Sequence, residues 1–181
     1  MNKTFSRSLF CASSLLLVLA IPLNAQMPAP EVSLAVGAMQ YDASASSSVP
    51  MIALRAATPL GTSWLLGEGN LTFASLREQS LAIGTRAGVA EGQLQFQVPF
   101  ARVRPYLGVG AGWFHYFSSA VRRAETSPTF SAAAGLRARL SGRFGASAEL
   151  RLRGWNYQSE QPDSGFHNSA AEWTAGWTYA F

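Results

Sequence analysis

His167 and Ser169 stand two apart in the stretch His167-Asn168-Ser169. Residues two apart in an extended chain share a face, so an imidazole and a hydroxyl would lie side by side. That pairing begins nucleophilic hydrolase chemistry, which also needs an acid to orient the histidine. Glu172 and Glu149 have the parity of the opposite face, and Glu160 and Asp163 lie in the adjoining loop with nothing to place them. The stretch therefore reads as a loop-to-strand junction. No catalytic residue is assigned and no enzyme is expected. His115 reads as an interfacial residue rather than a ligand. No Cys, His or carboxylate cluster has metal-site spacing, so neither metal nor cofactor is expected.

Gly108-Val109-Gly110-Ala111-Gly112 alternates glycine with small apolar residues. A dinucleotide loop needs a strand before it and a helix after it, whereas here strand alternation continues to Phe117. Alternate glycines on one strand face instead make room for large partners such as Tyr106 or arginine. Asn70-Leu71-Thr72 spells a glycosylation acceptor but lies within a strand, and is discarded.

The elements that would position these residues begin after residue 25. Lys3 and Arg7, an apolar run containing Leu-Leu-Leu-Val-Leu-Ala, and Leu23-Asn24-Ala25 have the layout of a cleavable signal peptide, 1–25. The only cysteine, Cys11, lies inside it, so the exported chain, 26–181, has no disulfide framework. That chain is about 155 residues, a one-domain length. Losing Lys3 and Arg7 lowers the formal charge from +4 to +2, which gives no case for a nucleic-acid partner. All twelve remaining cations are arginine.

Most of this chain alternates with period two, the signature of strands with one apolar face. Strands are expected at 31–41, 51–58, about 63–73, around 90–98, 104–117, 129–140, 143–155 and from Ala170 to Phe181. Residues 74–88 either extend the third and fourth strands or form a loop. In the third strand Trp64, Glu68, Asn70 and Thr72 are assigned to the polar face. Longer polar connections, 42–50, 118–128 and 157–168, alternate with short turns. Eight strands in this rhythm make an up-and-down meander that closes into a barrel.

Three features turn the apolar face outward. The polar face carries Glu68, Glu91, Arg137, Arg139, Glu149, Arg151, Arg153 and Glu172. Arginine forks pair with carboxylates in two-point contacts, and an eight-stranded interior is just wide enough for side chains to fill. The apolar faces of the sixth and eighth strands run uncharged for six alternate residues, enough for a tilted strand to cross a bilayer. Aromatics stand near strand ends, as interfacial anchors do: Trp113, Phe117, Phe144 and Trp173, with Tyr179 and Phe181 at the chain end.

Trp177, Tyr179 and Phe181, the stretch Tyr106–Trp113 and the signal peptide together resemble the small OmpA/OmpX-like outer-membrane barrels of Gram-negative bacteria. The resemblance spans nearly all of 31–181 and specifies architecture rather than activity. It implies an all-β, closed eight-stranded antiparallel transmembrane barrel with a plugged polar lumen, integral to the outer membrane. It makes Trp177, Tyr179 and Phe181 the signal read by the barrel-assembly machinery, with periplasmic chaperones as transient partners. Lasting partners would be outer-membrane lipids and lipopolysaccharide, around a monomer. The peptidoglycan-binding domain of larger members is not expected after Phe181. Arg122 and Arg123 could meet lipopolysaccharide phosphates, although a solvated pair is the plainer reading. Two alternatives remain: a lipid A-modifying hydrolase, since lipid A deacylases on such barrels also use a histidine and serine two apart, and a secreted lipocalin-like carrier.

Overall fold

The computed structural model describes residues 28–41, 48–77, 84–98, 102–117, 125–156 and 167–181. The expected signal peptide, and Arg122 and Arg123, lie outside these segments. Eight strands follow one another: β1 (Glu31–Tyr41), β2 (Ser48–Pro59), β3 (Leu65–Arg77), β4 (Gly84–Gln97), β5 (Val103–Phe117), β6 (Glu125–Ser141), β7 (Phe144–Asn156) and β8 (His167–Ala180). Each pairs antiparallel with the next, and β1 pairs with β8, closing the barrel. Closure removes both free edges and satisfies the backbone of the end strands. Leu34 illustrates the ladder: it lies opposite Leu54 on one side and Trp177 on the other.

The period-two pattern dictates which face each residue takes. Along β2, exposed and buried residues alternate from Ser48 to Thr58. Leu54, Leu107, Phe130, Leu136, Leu150 and Trp177 face outward, Trp177 being 69% exposed, while Glu149, Arg151 and Arg153 are buried. Gly142 takes φ +52°, the left-handed geometry that closes the two-residue reversal between the paired residues Ser141 and Phe144.

Several strands exceed the sequence expectation. Residues 74–88 mostly extend β3 and β4, with 78–83 between the described segments, and β2 and β6 begin three and four residues early. These ends are mostly polar or small, with Val49 and Leu76 isolated among them, so no apolar period announces them. Trp64 departs from its expected place. It lies in the bend that follows Gly61, whose φ of +78° breaks the alternation. Its indole is exposed and stacks on Phe96, with ring centroids 6.0 Å apart. Arg139 is the second correction. It was expected among the interior charges but is exposed at the short-turn end, where the β6–β7 register shifts between Arg139 and Ser141.

The interior has two layers. At the end facing the long connections, Met39, Val49, Met51, Ala74, Ala87, Val89, Phe114 and Ala170 form one apolar cluster. Below it, toward the short turns, the interior is ionic.

Candidate functional site

The barrel interior gathers the chain's chemistry. Strand alternation sends one residue in two inward, and antiparallel register brings charges from distant parts of the sequence to similar heights. Five guanidiniums, from Arg55, Arg104, Arg137, Arg151 and Arg153, meet five carboxylates, from Glu31, Glu68, Glu91, Glu149 and Glu172. The set carries no net formal charge.

Arg151 of β7 is its hub. It donates from Nη1 to Glu91 Oε1 at 2.6 Å, from Nε to Glu149 Oε1 at 3.0 Å and from Nη2 to Gln93 Oε1 at 2.9 Å. Arg153 binds Glu91 Oε2 and donates from Nε to Glu172 Oε1 at 2.7 Å. Glu91 thus serves two arginines and also accepts from Ser131 Oγ at 2.8 Å. Arg137 donates to Glu68 and to Gln95, each at 2.6 Å, and its Nε lies 2.8 Å from Glu31 Oε1. Arg55 crosses from β2 to Glu149 at 2.9 Å and donates to Thr174 Oγ1 at 2.8 Å. Tyr106 donates its hydroxyl to Glu149 Oε2 at 2.7 Å, and Arg137 stacks 4.5 Å over its ring centre. The ring occupies the space above Gly135, where a Cβ would collide with it.

Buried charges of one sign are very costly; paired and hydrogen-bonded ones are tolerable. The shared carboxylates and glutamine relays supply that pairing here. The arrangement binds the wall to itself across the lumen. Among the described residues no group of three or more His, Cys, Asp or Glu side chains is placed to hold a metal ion.

Of the eight charges assigned from sequence, seven lie in this network and Arg139 does not. Glu31, Arg55 and Arg104 also belong to it and were missed as members, as were Gln93 and Gln95. Their parity was the available signal: each shares the inward face of its strand. The outward aromatics Trp113, Phe117, Phe144 and Trp173 are all exposed, as are Trp177 and Phe181. Phe144, Tyr179 and Phe181 form an edge-to-face series with centroids 5.3 and 5.4 Å apart. Ser169 is exposed, opposite Gly154. Glu172 and Glu149, the two strand-borne acids considered for it, are turned inward onto arginines. His115 lies on β5 and its Nδ1 is 2.7 Å from Thr126 Oγ1.

A closed eight-stranded antiparallel barrel with an apolar exterior and an ionic interior has the fold of the small OmpA/OmpX-like outer-membrane barrels. Solved structures agree. The chain superposes on Neisserial surface protein A with a TM-score of 0.69 at 13% identity, over 84% of this chain and 97% of that one. It superposes on Ail, the attachment invasion locus protein of Yersinia pestis, with 0.55 at 15%, over 86% and 100%. The outer membrane enzyme PagL gives 0.53 at 14%, over 83% and 99%. No family model matches the chain, and no curated protein matches it in sequence. At these identities the likeness is one of fold.

Proposed function

We propose that the chain is an integral, monomeric outer-membrane barrel with a filled lumen, serving a structural or surface-interaction role. The observation that carries this reading is the inverted polarity of the barrel. Large apolar side chains ring the outside, while ten charged groups neutralise one another inside. Leaving a Leu- or Phe-sized side chain in water forfeits roughly 1.5–3 kcal/mol. A belt of them is sensible only in acyl chains. The strands, 11 to 17 residues long, exceed the roughly 9–11 that a tilted strand needs to cross the hydrocarbon.

The long connections would then face outward from the cell and carry any partner contact, lipopolysaccharide included. The short turns and both ends of the described chain would face the periplasm. Trp177, Tyr179 and Phe181 would be the residues offered to the assembly machinery. The filled interior argues against a wide pore. A lipocalin-like carrier does not fit, because such a carrier keeps its apolar residues inside. The hydrolase reading draws on PagL for fold alone; Glu149 and Glu172 are turned away from Ser169, and the loop acids Glu160 and Asp163 lie outside the described residues.

The test is heat-modifiable gel mobility combined with outer-membrane fractionation, followed by conductance in planar bilayers. A heat-shifted, membrane-bound band without large channels is the expected result. A detergent-independent periplasmic protein would defeat the reading.

A further inference from the structure

Two arginine pairs stand one above the other at the short-turn end of β5 and β6. Arg104 and Arg137 are register partners. Like charges directly opposite on adjacent strands repel. Here one carboxylate relieves them: Glu31 lies 3.0 Å from Arg104 Nη2 through Oε2 and 2.8 Å from Arg137 Nε through Oε1. One step nearer the rim, the Arg139 amide donates to the Arg102 carbonyl at 2.8 Å, so the same pairing continues. Arg102 and Arg139 are both exposed. Glu31, Glu68, Glu91, Glu149 and Glu172 are all engaged in the interior, and Glu125 belongs to the opposite, long-connection end of β6. The rim pair repeats the inner pair without its carboxylate.

Arg143 extends the arc onto β7. It is exposed in the turn, and its Nη1 lies 3.3 Å from the Tyr179 hydroxyl. Tyr179 leads into the aromatic series of Phe144 and Phe181 on the outer wall. Cations and aromatic rings therefore share one sector of the rim, the cations at the mouth and the rings on the apolar side.

We infer that Arg102, Arg139 and Arg143 form a binding site for the phosphate of an anionic glycerophospholipid in the leaflet at the short turns. Guanidinium forks match phosphate oxygens in two-point contacts. The phosphate takes the bridging place that Glu31 holds one step deeper. The neighbouring aromatics distinguish a lipid from a free ion, since they sit where glycerol backbone and upper acyl chain would pack. This assignment rests on the membrane-spanning reading above.

The test uses full-length barrel refolded in octyl glucoside, which has no phosphate, and then given phosphatidylglycerol or inorganic phosphate. Lipid retained per protein is counted by native mass spectrometry. The wild type is expected to retain phosphatidylglycerol, and the R102Q/R139Q variant about tenfold less or lower still, the scale of losing one or two charge-assisted bonds. R143Q is expected to weaken retention further. Equal retention by wild type and R102Q/R139Q overturns the site. Inorganic phosphate competing as well as the lipid, at equal concentration, overturns the lipid assignment. The same variants are checked for heat-modifiable mobility and fractionation. A membrane-bound R102Q/R139Q that keeps its lipid defeats only this inference, whereas a soluble wild type defeats the membrane reading itself.

Discussion

Arg151 and Glu91 meet inside the barrel, Nη1 to Oε1 at 2.6 Å, although they come from β7 and β4, which are not neighbours in the sheet. Glu91 also holds Arg153, so one carboxylate ties two guanidiniums from the same strand to the opposite wall.

That double duty makes Glu91 the most sensitive position in the interior. Glu91→Gln keeps the shape but leaves two buried cations short of a partner. Breaking a buried pair on one side costs about 3–5 kcal/mol. The midpoint of urea unfolding, read by heat-modifiable mobility in bilayers, is expected to fall accordingly. Glu91→Gln combined with Arg153→Met, which removes one orphaned charge, is expected to recover part of the loss.

Gly135 is needed because Tyr106 lies over it. Gly135→Ala is expected to push the ring away and break its bond to Glu149, an overpacking cost of about 1–3 kcal/mol. Gly92 faces outward and an added Cβ there meets nothing within 4 Å. Gly92→Ala is expected to be neutral or slightly stabilising. Parallel unfolding curves of the two variants check this; equal losses would mean that the interior is not packed as described.

The outward residues are tested by charge and by quenching. Leu150→Arg, at a mid-strand outward position, is expected to cost about 2–4 kcal/mol in a bilayer. Fluorescence of the exposed Trp113 and Trp177 is expected to be quenched by brominated acyl chains. Quenching by aqueous acrylamide instead would place these rings in water.

The filled-lumen reading proposed above has the apolar and the ionic layer each barring ions. Phe114→Ala opens the apolar layer and is expected to cost stability, about 3–5 kcal/mol, without giving ion conductance, because the ionic layer remains. Only its combination with Glu91→Ala and Arg151→Ala is expected to produce channels in planar bilayers. Conductance in Phe114→Ala alone would show that the apolar cluster is the sole barrier.

Strand number, order and facing were legible in the sequence because period two persists through nearly every strand and a polar loop separates one pair from the next. β1 is an example: Val32, Leu34 and Val36 point out and Ala35 and Met39 point in, as their alternation requires. The charge network was legible residue by residue only where charges cluster, as in Glu149, Arg151 and Arg153. Arg55 and Glu31 stand alone among small residues, so parity placed Arg55 inward while nothing marked either as a partner for a strand far away in sequence. Who binds whom depends on register across the lumen, which alternation does not encode. Trp64 and Arg139 failed for a common reason: both lie where a ladder ends, and the period stops with the ladder. The apolar layer was missed because Met39, Val49, Val89 and Phe114 are spread over four strands, and no single strand shows more than two of them.

The five-against-five balance inside the wall bears on how the barrel meets an electric field. A membrane potential does work on net charge, roughly 2.3 kcal/mol per elementary charge carried across 100 mV. A filling that sums to zero and is cross-linked from strand to strand offers no such handle. The barrel should therefore keep its shape whichever way the potential across its membrane swings.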